Sequence, residues 1–341
     1  MNKKLLAIAV GAAMVAGSTA VMAEANLYGK INAGIVSYDD GDDSPVDGAG
    51  IGIFDESSRI GVKGGGDLGG GLKALFKFEG TADLDSSANF NLNRDSYVGV
   101  SGGFGEVTIG RRNTSYKDAT GKMDLFADMW GDVTGSGFGS FDQREQNMLR
   151  YKGNFGMVSV SADLQFAEAV DAGADEDKMG NSFAVGFAPM KGIKITLASA
   201  TCGGTCASGG VDDTAQKLGL QWKGGPHKVN VTYAMESDDS ADQDMTVTVA
   251  QYGMTMGMDM IQLSYTMLDE KDLDDANATQ TSVAWIRNFN KSTKAYVAYS
   301  QVANDDTVAY DGRMDDTLTG FGNTTGGGTA SGLAVGVTHK F

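Results

Sequence analysis

The chain is short of the residues that interrupt sheets and of those that most often do chemistry. It has only 3 prolines, 2 cysteines and 2 histidines in 341 residues. Pro45, Pro189 and Pro226 all fall in segments that read as loops or turns, where no ladder hydrogen bond is lost. Zinc needs about four ligands, and the pair in CGGTC (Cys202, Cys206) has no histidine near it, since His227 and His339 lie elsewhere. Basic residues are also scarce, with 27 Lys and Arg against 44 Asp and Glu and a net charge of −17. Nucleic-acid binding calls for a basic patch and is disfavoured. Beyond the first two dozen residues, no apolar run reaches the ~20 residues of a membrane-spanning helix.

The first residues read as an export leader. Lys3 and Lys4 precede the apolar run LLAIAVGAAMVAG (5–17), and Val21-Met22-Ala23 supplies a small-residue cleavage site. The expected division is a signal peptide over 1–23 and a mature chain over 24–341, whose charge becomes −19. Export to an oxidising compartment lets Cys202 and Cys206 staple one loop tip as a disulfide. The acid is clustered, in DDGDD (39–43), DEDK (175–178), ESDD (236–239), LDEKDLDD (268–275) and MDD (314–316). None has the D-x-D-x-D-G spacing of a calcium loop, and they read as solvated loops.

Abundant glycine (49 residues) and period-two alternation fill the rest. In KLGLQWK (217–223), Leu218, Leu220 and Trp222 oppose Lys217, Gln221 and Lys223; in IQLSYTM (261–267), Ile261, Leu263, Tyr265 and Met267 oppose Gln262, Ser264 and Thr266. About sixteen such segments run from 26–38, through one placed at 56–64, to 332–341. Short Gly-rich connections, including 64–69, 102–105, 153–155 and 224–226, alternate with long acidic or polar ones. Such sorting means that the two rims of the sheet meet different environments, as in transmembrane barrels. The polar parity carries Lys30, Lys73, Lys77, Lys217 and Lys228, too many charges for a dry interior. The expected fold is therefore all-β, a 16-stranded antiparallel transmembrane β-barrel with a wet lumen. Trp222 and Trp285, near turn ends, fit an interfacial girdle. The final strand, GLAVGVTHKF, must close on the first, because an open edge in hydrocarbon leaves backbone groups unpaired.

On these residues the chain resembles the general porins of Gram-negative bacteria across 24–341. SSRIGVKGGGDLGGGLKALFKFE (57–79) is similar to their second and third strands, and VTHKF, with Lys340 and terminal Phe341, resembles the signal read by their assembly machinery. The resemblance implies a third loop, here 113–145, folded into the barrel as a constriction. DATGKMDLFADMWGD (118–132) resembles its acidic segment, and Asp118, Asp124, Asp128 and Asp132 are the acidic candidates. The usual Pro-Glu-Phe-Gly stretch is replaced by Ala127-Asp128-Met129-Trp130. Strand parity places Arg59 and Arg150 on the lumen face, and Arg112 opposes Ile109. Arg94, sharing parity with Ser96, is also placed inward, which puts Asp95 on the lipid parity. Arginine on a lipid face costs ~2–4 kcal/mol at mid-depth. The resemblance further implies a passive channel for small hydrophilic solutes and ions, a homotrimer in outer-membrane lipid and lipopolysaccharide, and no cofactor. A porin selective for a sugar or an anion is the alternative, although no continuous aromatic track marks the polar parity. An enzyme is disfavoured because neither histidine sits beside a nucleophile.

Overall fold

The computed structural model describes residues 24–39, 41, 49–84, 91–133, 141–166, 179–202, 213–238, 243–271, 274–308 and 327–341. The expected leader, 1–23, lies outside them. Among the described residues, strand segments are β1 (Glu24–Asp39), β2 (Ala49–Asp55), β3 (Arg59–Gly69), β4 (Leu72–Thr81), β5 (Ser96–Gly102) and β6 (Gly105–Asn113). After a short helix α1 (Ser115–Thr120) come β7 (Arg144–Phe155), β8 (Val158–Gln165), β9 (Gly180–Phe187), β10 (Ile193–Thr201), β11 (Thr214–Gly224) and β12 (His227–Asp238). The series ends with β13 (Gln243–Met256), β14 (Asp259–Glu270), β15 (Asn277–Asn288), β16 (Thr293–Asn304) and β17 (Thr329–Lys340).

From β3 onward, each strand pairs antiparallel with the next, and β17 pairs with β1, Lys340 opposite Lys30 and Ser331 opposite Asp39. The sheet is thus a closed barrel, which leaves no backbone edge to satisfy in lipid. Its sixteen staves contain seventeen segments because β2 and β3 together form one stave. β2 pairs with one half of β1 (Ala33 opposite Asp55), and β3 with the other (Lys30 opposite Arg59). The sequence-based expectation of one strand over 56–64 misses this break. At the break Ser57 has φ 58°, and Asn32 donates its N–H to Ser58 Oγ at 2.8 Å in place of a ladder carbonyl. The first short turn also falls at Gly70–Gly71 rather than 64–69, since Gly65 and Gly66 still pair with Leu75 and Ala74.

The alternation in sequence becomes alternation between two environments. Leu263, Tyr265 and Met267 on β14 point out and are 45–47% exposed, whereas Gln262, Ser264 and Thr266 point in and are buried. The outward row forms an apolar band around the barrel, which is stable in lipid and not in water. Trp222 and Trp285 lie on this face near the short-turn rim. Phe341 joins them at the seam, exchanging backbone hydrogen bonds with Gly29 at 3.0 and 3.1 Å. Its ring lies where a Cβ on Gly29 would be, so the seat requires glycine.

The loop between β6 and β7 enters the lumen and packs against the inner wall in two apolar clusters. Phe126, Met129 and Trp130 meet Phe54, Ile286 and Tyr296, and Tyr116 and Ala119, together with Phe141 of the same loop, meet Ala184 and Ala198.

Candidate functional site

The loop is held by its outer edge. Thr114 caps α1, accepting the Lys117 N–H at 3.1 Å, and the first free N–H groups of the turn find wall acceptors. Ser115 N–H donates to Asp163 on β8 at 2.6 Å and Tyr116 N–H to Ser182 on β9 at 3.2 Å. Further along, the Met123 carbonyl accepts from Lys228 and Asn230 on β12, and Leu125 N–H donates to Gln251 on β13 at 2.8 Å. The Gly131 carbonyl accepts from Gln280 on β15 at 3.0 Å. Trp130 donates Nε1–H to the Gly332 carbonyl on β17 at 3.2 Å, lying where a Gly332 side chain would stand. Asn32 on β1 donates to the Asp128 carbonyl at 2.5 Å. The described part of the loop therefore follows the wall from β8 round to β1 and leaves the face made by β4–β6 uncovered.

Its inner edge is ionic. Asp128 lies 3.0 Å from both Lys30 Nζ and Arg59 Nη2, and Asp118 lies 2.8 Å from Arg150 Nη2. On the uncovered wall a second network holds itself together. Arg94 and Lys77 pair with Glu79 at 2.8 and 3.2 Å, and Lys77 and Arg144 pair with Asp95 at 2.8 and 2.9 Å. Tyr28 donates its hydroxyl to Glu79 at 2.7 Å. Between wall and loop lies about 1220 Å³ of open space, bordered by Arg59, Arg94 and Arg144 on one side and Asp118, Asp128 and Asp132 on the other. Burial alone would raise the Asp128 carboxyl, but Lys30 and Arg59 outweigh it and hold the group well below the usual carboxylate range. Asp95 is held at about 2: burial raises it, and Lys77 and Arg144 overcome that.

The candidates named from sequence divide. Arg59 with Asp128 and Arg150 with Asp118 are brought together. Arg112 faces inward as expected, yet it bonds Glu106 at 2.9 Å and Thr108 at 2.6 Å on its own strand and covers the Tyr97 ring, touching no loop aspartate. Asp124 faces the wall, accepting from Gln251 Nε2 at 2.7 Å, and Asp132 is buried behind the rim, accepting the Asp128 N–H at 2.8 Å. The parity assumed for β5 is reversed. Tyr97 stands opposite the lumen-facing Lys77, whereas Val98 is 52% exposed outward. Asp95 consequently sides with the lumen, and Arg94 reaches Glu79 only because it precedes the strand, where alternation does not bind it. Lys30, Lys77, Glu79, Asp95 and Arg144 were not among the candidates; Lys30, Lys77 and Glu79 share lumen parity on β1 and β4, a signal that could have found them.

Lys340 follows the inward parity of Thr338 and is exposed at the rim. Cys202 is buried and disulfide-bonded, and its N–H donates to the Asp213 carbonyl at 2.8 Å; Cys206 lies outside the described residues. Among the described residues, no group of three or more His, Cys, Asp or Glu side chains is placed to hold a metal.

Known proteins agree with this architecture. The family model described as Gram-negative porin matches residues 9–307. Outer membrane porin protein 32 of Delftia acidovorans is 28% identical over the whole of both chains. A major outer membrane protein P.IB of Neisseria gonorrhoeae is 33% identical over 55% of this chain and 53% of its own. Among solved structures, an anion-selective porin from Comamonas acidovorans superposes with a TM-score of 0.78 at 24% identity, covering 94% of this chain and all of its own. OmpT of Vibrio cholerae gives 0.70 at 16% identity, over 96% and 99% of the two chains. A closed barrel with an apolar outer band, a wet charged lumen and these relatives forms a channel for small solutes across the outer membrane; the chain belongs to the Gram-negative porin family.

Proposed function

We propose that the gap between the loop and the β3–β7 wall is the constriction of a passive, weakly anion-preferring diffusion channel. One observation carries this reading: Arg59, Arg94 and Arg144 border the same open gap as the acidic edge of the loop. Charges of opposite sign on facing sides set a field across the path, which sorts solutes by size, charge and dipole. Here Asp128 and Asp118 lie at the rim, Asp132 braces Asp128 from behind, and Asp124 anchors the loop. The relative described as anion-selective supports the preference, as do the inward lysines Lys152, Lys194, Lys223 and Lys228 near the short-turn rim. Planar bilayers decide: ohmic pores with a reversal potential displaced toward that of the anion are expected, and a folded protein that does not conduct would sink the reading.

The finer assignments belong to the same proposal. The functional unit is a homotrimer, in keeping with a structural relative described in trimer form; native mass measurement in mild detergent tests it. The leader 1–23 is removed after Ala23, Phe341 with Lys340 serves the assembly machinery, Cys202 pairs with Cys206, and lipopolysaccharide surrounds the long-loop rim. No reaction is catalysed. His227 and His339 stand on outward parities near the short-turn rim, hydrogen-bonded to Tyr252 and Thr293.

A further inference from the structure

Many cations of the lumen bring their own counter-charge. Lys30 and Arg59 share Asp128, and Lys77, Arg94 and Arg144 share Glu79 and Asp95. One group does not. On the short-turn side of the loop, an adjoining open space of about 760 Å³ is bordered by Asp118 and Lys122 from the loop, Arg150 and Lys152 from β7, and Lys194 from β10. Arg150 pairs with Asp118, but no ion pair joins Lys122, Lys152 or Lys194 to a described carboxylate. Beside the same cavity two deeply buried polar atoms have no described hydrogen-bond partner: Thr196 Oγ1, in a residue 3% exposed, and Arg150 Nε, in one 1% exposed. Ser161 adds a further hydroxyl to the lining.

We infer that this cavity is a docking station for a compact, doubly charged oxyanion, lying on the short-turn side of the constriction. The inference rests on the channel reading, since it gives that channel a preferred cargo class. Three ammonium groups share the space with one carboxylate, Asp118, which is already paired with Arg150, so the surplus positive charge draws its counter-charge from solution. Ammonium, guanidinium and hydroxyl donors converge where a small anion with several acceptor oxygens satisfies more of them than a halide can. A free inorganic oxyanion and the phosphate end of a small organic solute present the same chemistry.

The test is block of chloride current through the folded protein by inorganic phosphate, with glycerol 3-phosphate as a second arm, alongside ³¹P line broadening of phosphate in detergent solution. Saturable block by phosphate is expected. A larger half-blocking concentration for the ester assigns the station to the free ion, and a smaller one to the organic phosphate. In the Lys152→Gln, Lys194→Gln double variant the half-blocking concentration should rise roughly tenfold, the scale of a lost charge-assisted contact. Thr196→Val, which changes no charge and little volume, should raise it about threefold, with Thr196→Ser restoring it. Lys73→Gln, elsewhere on the lumen wall, should shift it less than twofold. Non-saturable block, or an equal effect of Lys73→Gln, would overturn the station and leave the channel standing. Absence of chloride current would instead remove the channel reading, while line broadening that is lost in the double variant would still establish the site.

Discussion

Replacing Asp128 by Asn removes one negative charge from the rim of the gap and leaves the loop's backbone anchors in place. The Asp128 carbonyl still accepts from Asn32, and its N–H still donates to Asp132. An ion passing ~6 Å away in pore water gains or loses about 0.7 kcal/mol from a unit charge at a dielectric constant of ~80. At 0.1 M salt, with a screening length of ~10 Å, about 0.4 kcal/mol remains. The change has opposite sign for anion and cation, so their barriers separate by about 0.8 kcal/mol, roughly a fourfold rise in anion over cation permeability. Under a tenfold potassium chloride gradient that moves the reversal potential by about 25 mV toward the anion. Asp124→Asn is the internal control, because Asp124 accepts from Gln251 on the far side of the loop and should give a much smaller shift. Single-channel conductance should change little in either variant if the loop stays seated. An unmoved reversal potential in Asp128→Asn, or an equal shift in Asp124→Asn, would refute the assignment of Asp128 to the rim.

Other perturbations separate the rim from its supports. A carboxyl depressed by folding contributes stability that is present above its unfolded value of ~3.9 and lost only as pH falls through the lower folded value. The difference in selectivity between the wild type and Asp128→Asn should therefore persist from pH 7 to about 4, although exposed carboxylates protonate over that range; its disappearance by pH 5 would contradict the pairing with Lys30 and Arg59. Trp130→Ala removes a buried indole and its bond to Gly332, a loss of ~3–5 kcal/mol in packing. Larger and noisier single-channel steps are expected, with a lower melting temperature by circular dichroism. Gly29→Val puts a side chain where the Phe341 ring lies, costing about 1–3 kcal/mol at the seam. Urea titration of the folded barrel should show a lower midpoint, and Phe341→Ala should relieve part of that effect.

The barrel was legible because its cause repeats. Lipid on one side and water on the other impose period two on every stave, and the two rims impose alternating loop lengths. Phe341 was readable as a closing residue for the same reason. What alternation could not reveal is where it stops. At Glu56–Ser58 a serine hydroxyl takes the place of a ladder acceptor and one stave becomes two segments. Before Ser96 the chain is not yet a strand, so Arg94 turned inward on the same side as Asp95, and parity assigned both wrongly or for the wrong reason. Within the loop, Asp118, Asp124, Asp128 and Asp132 are four equivalent letters in sequence. Their separation into rim, brace and anchor depends on which of Arg150, Gln251 and Lys30 the folded wall presents to each, and those partners are distant in the chain.

The two edges of the loop use different chemistry, and this difference bears on what the channel can tolerate. The outer edge is held mainly by neutral donors and acceptors: Ser182, Asn230, Gln251, Gln280 and the Trp130 indole. Such bonds are cheap to desolvate beside those of ions and respond little to salt or pH. The inner edge is charged and borders water, where each ion pair contributes less to stability but most to the field met by a solute. Seating and selectivity are thus carried by separate residues. A charge change at Arg59, Arg94 or Arg144 should retune the field with the loop in place. Loss of Gln251 or Gln280 should release the loop with the field residues intact, changing conductance before ion preference.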